Sequence, residues 1–124
     1  MTPGSITIVM DMPPSAVGPN GNSTWQMKAR LVSQIRTEAG WHIREQQMNH
    51  GITAPWPAAT MHIRWVSVGR LPDDDNAIGR CKAIRDGAMD AGLVLDDATI
   101  RVGTVTIERG KPVRVEITFE EAQP

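Results

Sequence analysis

The chain has 124 residues, 40% of them hydrophobic, which suits one ordinary domain (1–124) with a core of its own. Its net charge of −1 argues against a protein that grips nucleic acid by bulk positive charge alone. The one cysteine, Cys81, excludes a disulfide framework within the chain, and no apolar stretch approaches the roughly 20 residues of a membrane span. No charged-then-apolar leader opens the chain, so a cytoplasmic protein in a reducing compartment is expected.

Ile6, Ile8 and Met10 alternate with Thr7 and Val9, the period of a strand. The Pro-, Gly- and Asn-rich run "MPPSAVGPNGNS" that follows has the composition of a loop. Ser23 stands three residues before Gln26, a capping-box spacing. From there Met27, Leu31, Ile35, Ala39 and Ile43 predict an amphipathic helix ending near Gly51. Lys28, Arg30, Arg36 and Arg44 occupy its outer face, either as solvated charges or as phosphate contacts. In the loop "ITAPWPAA", Trp56 stands between two prolines, where it would serve as an interface or DNA wedge or fold back over the core.

Met61, Ile63 and Trp65 mark a second strand, with Trp65 facing the core. "VGRLPDDDN" breaks it. A second helix of some 16 residues, roughly 25 Å long, buries Ile78, Cys81, Ile84, Ala88 and Ala91 and is capped by Gly92. In one continuous helix Asp75, Lys82 and Asp86 share a solvent-facing edge, with Lys82 paired to Asp86. Ile100, Val102, Thr104 and Thr106 predict one face of a third strand. After the turn at 109–112, Val113, Val115, Ile117 and Phe119 point inward from a fourth. The order β-α-β-α-β-β implies an α+β domain, a small mixed sheet with two helices packed on it.

Seven of the 14 acids lie between Asp73 and Asp97, leaving the rest of the chain net basic. Three consecutive carboxylates repel one another, and capping a helix N-terminus accounts for one or two of them, not for the set. Hard cations seek such oxygens, and Mg²⁺ usually takes one or two carboxylates plus waters and substrate phosphate. Asp73 and Asp75, two apart, point the same way in an extended stretch, while Asp96 and Asp97 arrive only after the helix. An EF-hand is excluded, because its glycine and glutamate places from Asp73 hold Ile78 and Ile84. Cys81 reads as a small apolar helix residue rather than a nucleophile. His42, His50 and His62 are scattered over three elements, with no metal-site spacing.

An N-terminal strand followed by "PPS", "PDDDN" opening a helix, a lysine within that helix and "AGLVLDD" after it together resemble the RusA family of Holliday junction resolvases. The resemblance spans nearly the whole chain. It implies a homodimeric crossover junction endodeoxyribonuclease, dependent on Mg²⁺ (with Mn²⁺ as a substitute), that cuts branched DNA at four-way junctions. By the motif match it implies Asp73, Asp75 and Asp97 as metal ligands and Lys82 as the catalytic lysine. Three extra residues separate the acid motif from Lys82, about one turn or ~4.5 Å of helix. Asp74 adds a charge, and "AVGPNGN" lacks basic and aromatic residues.

The mechanism expected from these residues is phosphodiester hydrolysis, with Lys82 near the scissile phosphate and two sites across a two-fold axis. Lys28, Arg30, Arg64, Arg70, Arg80 and Arg85 would contact phosphates without reading bases. Two other classes compete. One is a junction-binding protein without turnover, in which the shifted Lys82 fails to complete the site. The other is a structural α+β domain whose acids only cap and solvate.

Overall fold

The computed structural model describes residues 4–19 and 24–124. Its elements are β1 (Ser5–Met10), α1 (Trp25–Asn49), β2 (Ala58–Ser67), α2 (Asp74–Arg80), α3 (Lys82–Asp90), β3 (Ile100–Arg109) and β4 (Arg114–Ala122). Single 3-10 turns lie at Ser15–Val17 and Asp97–Thr99. The sheet order is β1-β4-β2-β3. β4 runs antiparallel to β1 and to β2, while β2 and β3 are parallel, so the sheet is mixed and the fold is α+β. Among the described residues no helix is long and apolar enough to cross a membrane.

Alternation of side chains sets the sheet's inner face. Ile6, Ile8 and Met10 of β1, Met61, Ile63 and Trp65 of β2, and Val115, Ile117 and Phe119 of β4 are all buried in one cluster. Val113 precedes β4 and is exposed instead. On β3 the expected face changes midway. Met61 pairs with Val102, but Ile63 pairs with Val105, so β3 carries one extra residue in the ladder. A one-residue slip exchanges the two faces, and Val105 and Ile107 turn to the core in place of Thr104 and Thr106. Gly103 permits this, since a Cβ there would lie 2.7 Å from His62 and Thr60 side chains. His62 Nδ1 accepts the Thr104 N–H at 3.0 Å.

Thr24 caps α1, its hydroxyl accepting the Met27 N–H at 3.2 Å, while Ser23 lies outside the described residues. The helix ends at Asn49, and Gly51 adopts φ 59° just beyond. The second expected helix is broken. At Cys81 (φ −96°, ψ 4°) the N–H is shared between Ala77 O at 3.2 Å and Ile78 O at 3.1 Å, a tightened turn that separates α2 from α3. The two halves answer to different neighbours. Gly79 of α2 lies against Pro19, where a Cβ would sit 2.7 Å from the ring. Gly87 of α3 lies against α1, where a Cβ would sit 2.9 Å from Arg36 O and 3.1 Å from Gly40 N. Gly92 (φ 77°) closes α3, with Gly92 N–H on Met89 O and Leu93 N–H on Ala88 O, both at 3.0 Å.

Trp56 is buried in the core, its N–H donating to Leu93 O at 2.7 Å. It is therefore packing, and the wedge reading fails because the ring has no access to a partner. Trp65 packs as expected, with Nε1 donating to Ser67 Oγ at 3.0 Å.

Candidate functional site

The acids reach the surface around α2 and α3 in two groups. Asp73, Asp74 and Asp75 are exposed at the start of α2. Asp73 is its N-cap, Oδ1 accepting the Asn76 N–H at 2.8 Å. Asp96 likewise caps the 3-10 turn before β3, accepting the Ala98 N–H at 2.9 Å, and its carbonyl takes the Thr99 hydroxyl at 2.6 Å. These short local bonds explain why aspartates, rather than longer acids, occupy both places.

Asp97 follows directly and is half-buried against α3. The chain does return to the helix after Gly92, and the carboxyl that acts most strongly on Asp97 is that of Asp86. Asp96, Arg85 and Lys82 act on it as well. Asp73 and Asp75 stand on α2, ahead of the break at Cys81. Among the described residues no three His, Cys, Asp or Glu side chains gather closely enough to hold a metal.

Asp86 differs from its expected place. A continuous helix puts it on the solvent edge, yet it is only 8% exposed. The cause is the Gly40–Gly87 approach, which lays α1 over that side of α3. Asp86 Oδ1 is fully enclosed with no hydrogen-bond partner, and Oδ2 lies 3.9 Å from Lys82 Nζ. Burial, and after it the neighbouring Asp97, pushes the Asp86 carboxyl above the ordinary carboxylate range, against the pull of Lys82 and Arg36. Asp97 is held below that range, first by Asp86 itself. Of the two, Asp86 keeps its proton more readily and Asp97 stays ionised. Periodicity alone misses Asp86. The signal that could have found it is Gly87 beside it, a glycine in a helix interior where close helix packing is the usual reason.

Lys82 is exposed along 65% of its side chain, with only Asp86 in ion-pair range. It stands beside a cavity of about 300 Å³ between α1 and the α2–α3 break, lined by Val17, Lys28, Val32, Arg80, Lys82 and Asp86 among others. The other basic residues divide sharply. Arg36 holds Asp90 in a bidentate pair at 2.5 and 2.8 Å, and Arg44 donates to Asp90 O at 2.9 Å. Arg64 bridges Glu108 at 2.5 Å and Glu116 at 3.0 Å across the sheet. Arg80 donates to Pro13 O and lies 4.6 Å from the Trp65 ring centroid. Arg36, Arg44, Arg64 and Arg80 thus serve the fold, which removes Arg64 and Arg80 from the expected phosphate contacts. Lys28, Arg30 and Arg70 are exposed, and Arg85 is half-buried with Nε enclosed.

Burial pushes the Cys81 thiol up to about 12, so it is no nucleophile at neutral pH and plays the apolar part expected of it. His42, His50 and His62 each have separate local partners, Glu38, Gln46 and the Thr104 N–H. No family model and no curated protein matches this chain, so the resemblance rests on its own motifs.

Proposed function

We propose that this protein is a Mg²⁺-dependent endonuclease of the RusA type that acts as a homodimer on four-way DNA junctions in a bacterial cytoplasm, encoded by host or phage. The observation that supports this most is the return of Asp97 to α3, beside Asp86 and within the field of Lys82. A strand-to-helix junction rich in acids, a distant Asp-Asp pair and a helix lysine have no shared structural task, but together they suit a phosphodiester site. The donors are all carboxylate oxygens, with no thiolate or imidazole among them, and one of them, Asp86 Oδ1, is enclosed and unpaired. That donor set fits Mg²⁺ or Mn²⁺ rather than zinc.

In this reading Asp73, Asp75 and Asp97 would hold the ion. When bound, Mg²⁺ would supply an activated water and stabilise charge on the phosphate and the leaving oxygen. Lys82 would place its exposed ammonium at the scissile phosphate. Lys28 on α1 would add positive charge at the same cavity, offsetting the low net charge of the chain. For the second copy, α1 offers Met27, Trp41 and Met48, exposed and separated by multiples of seven residues along one side.

Incubation with a synthetic four-way junction and Mg²⁺ tests the proposal, which expects paired nicks near the branch point. No nicking by the folded dimer at any protein concentration would refute it. A junction-binding protein without turnover is the second reading, favoured by one observation: Asp73 is already engaged as a helix cap. Asp75→Asn separates the two. Loss of cutting with binding retained supports the enzyme, whereas binding without cutting in the unaltered protein supports the second reading.

A further inference from the structure

We propose that Asp86 is itself a ligand, forming a divalent-cation site with Asp97. This deepens the metal-dependent reading above and rests on it, but adds an acid that the family resemblance leaves out.

The case begins with a carboxylate in the wrong place. Asp86 is nine-tenths withdrawn from solvent on α3, and Oδ1 has no hydrogen-bond partner at all. An enclosed, unpaired carboxylate is costly, and buried acids normally receive several N–H donors or a close cation. Here the only cation in ion-pair range is Lys82 Nζ, at 3.9 Å from Oδ2 and mostly in solvent, which compensates weakly. Across from Asp86 stands the carboxyl of Asp97, a like charge that adds to the cost. A hard cation between the two would satisfy both. Mg²⁺ commonly takes only one or two protein carboxylates, so the lack of a third gathered acid is no obstacle.

Both ligands are well held. The Gly40–Gly87 contact clamps α3 against α1, and Asp97 begins a turn closed by the Asp96 cap. The cavity beside Asp86 leaves room for the ion's waters and for a phosphodiester oxygen, with Lys28 and Lys82 on its walls to receive the anion. The arrangement also gives Lys82 a defined task. It accompanies Asp86 when no metal is present and is released toward phosphate when the ion arrives.

The test is Mn²⁺ titration of the full-length protein by electron paramagnetic resonance, with thermal melts in Mn²⁺ and in chelator. Asp86→Asn and Asp97→Asn should each weaken Mn²⁺ binding at least ten-fold and abolish the Mn²⁺-induced rise in Tm. In chelator, Asp86→Asn should melt no lower than the unaltered protein, because a buried charge has been removed. If that variant loses its cooperative melt, Asp86→Ser carries the same test. Mn²⁺ binding by Asp86→Asn equal to that of the unaltered protein, with Asp97→Asn impaired, overturns the inference and leaves the nuclease reading standing. Mn²⁺ binding through Asp86 without junction cleavage supports the inference and overturns that reading. An unaltered protein that binds no Mn²⁺ overturns both.

Discussion

Gly87→Ala sets helix propensity against packing. Gly87 is interior to α3, so alanine there should gain about 1 kcal/mol from propensity alone. The structure opposes that gain. The new methyl would lie 2.9 Å from Arg36 O and 3.1 Å from Gly40 N, backbone atoms that cannot swing aside like the end of a side chain. Forcing a methyl into a packed contact costs roughly 1–3 kcal/mol, so the balance is a loss of about 1 kcal/mol. With an unfolding entropy near ~2.1 cal/mol/K per residue, that is a fall of about 4 °C in Tm for a chain of this length. Differential scanning calorimetry of the two proteins at equal concentration reads it, and Gly87→Val should fall further. The same movement of α1 from α3 should expose Asp86, visible as faster amide exchange along α3. A Tm that rises by the propensity increment would refute the close helix contact, and with it the reason given for the burial of Asp86.

Asp73→Ser keeps a capping oxygen and removes a carboxylate. Its stability should stay within about 0.5 kcal/mol of the unaltered protein, while Asp73→Ala loses about 1 kcal/mol by denaturant titration. Under the proposed function both should lose junction cleavage. The Arg36 hydrogen bond holds the Asp90 carboxyl below its ordinary value of 3.8, so the folded state favours the ionised form. The stabilisation is complete above that value and is lost as pH falls below it, and Arg36→Gln should flatten the acid limb of a Tm-versus-pH curve. Trp41→Glu should turn a dimer into a monomer in sedimentation equilibrium if α1 carries the two-fold contact. An unchanged mass would assign the dimer to another surface.

Strand phases were readable where a residue's fate depends only on its neighbours along the chain. Ile6, Ile8 and Met10, or Val115, Ile117 and Phe119, alternate with polar residues, and the pleat does the rest. Gly92 as a cap was equally local, because its φ > 0 is a backbone requirement of that one residue. The bulge in β3 was not, since it answers to the fit of Gly103 against Thr60 and His62 on another strand. Arginines were the least legible. Their side chains reach far enough that carboxylates and carbonyls 40 or more positions away decide whether they face solvent.

The acidic site divides along the same line. The sequence alone determined which residue types are present, that Asp73 and Asp96 begin short turns, and that a lysine follows on the helix. It could not determine which carboxylates meet. One periodicity carried through Cys81 puts Asp86 on the solvent edge, and only the tightened turn at Cys81 and the glycine contact between α1 and α3 bury it. Helix geometry is a short-range property, fixed by bonds four residues apart, whereas burial depends on what another helix lays over that face. Tertiary packing therefore decided that Asp97 faces Asp86.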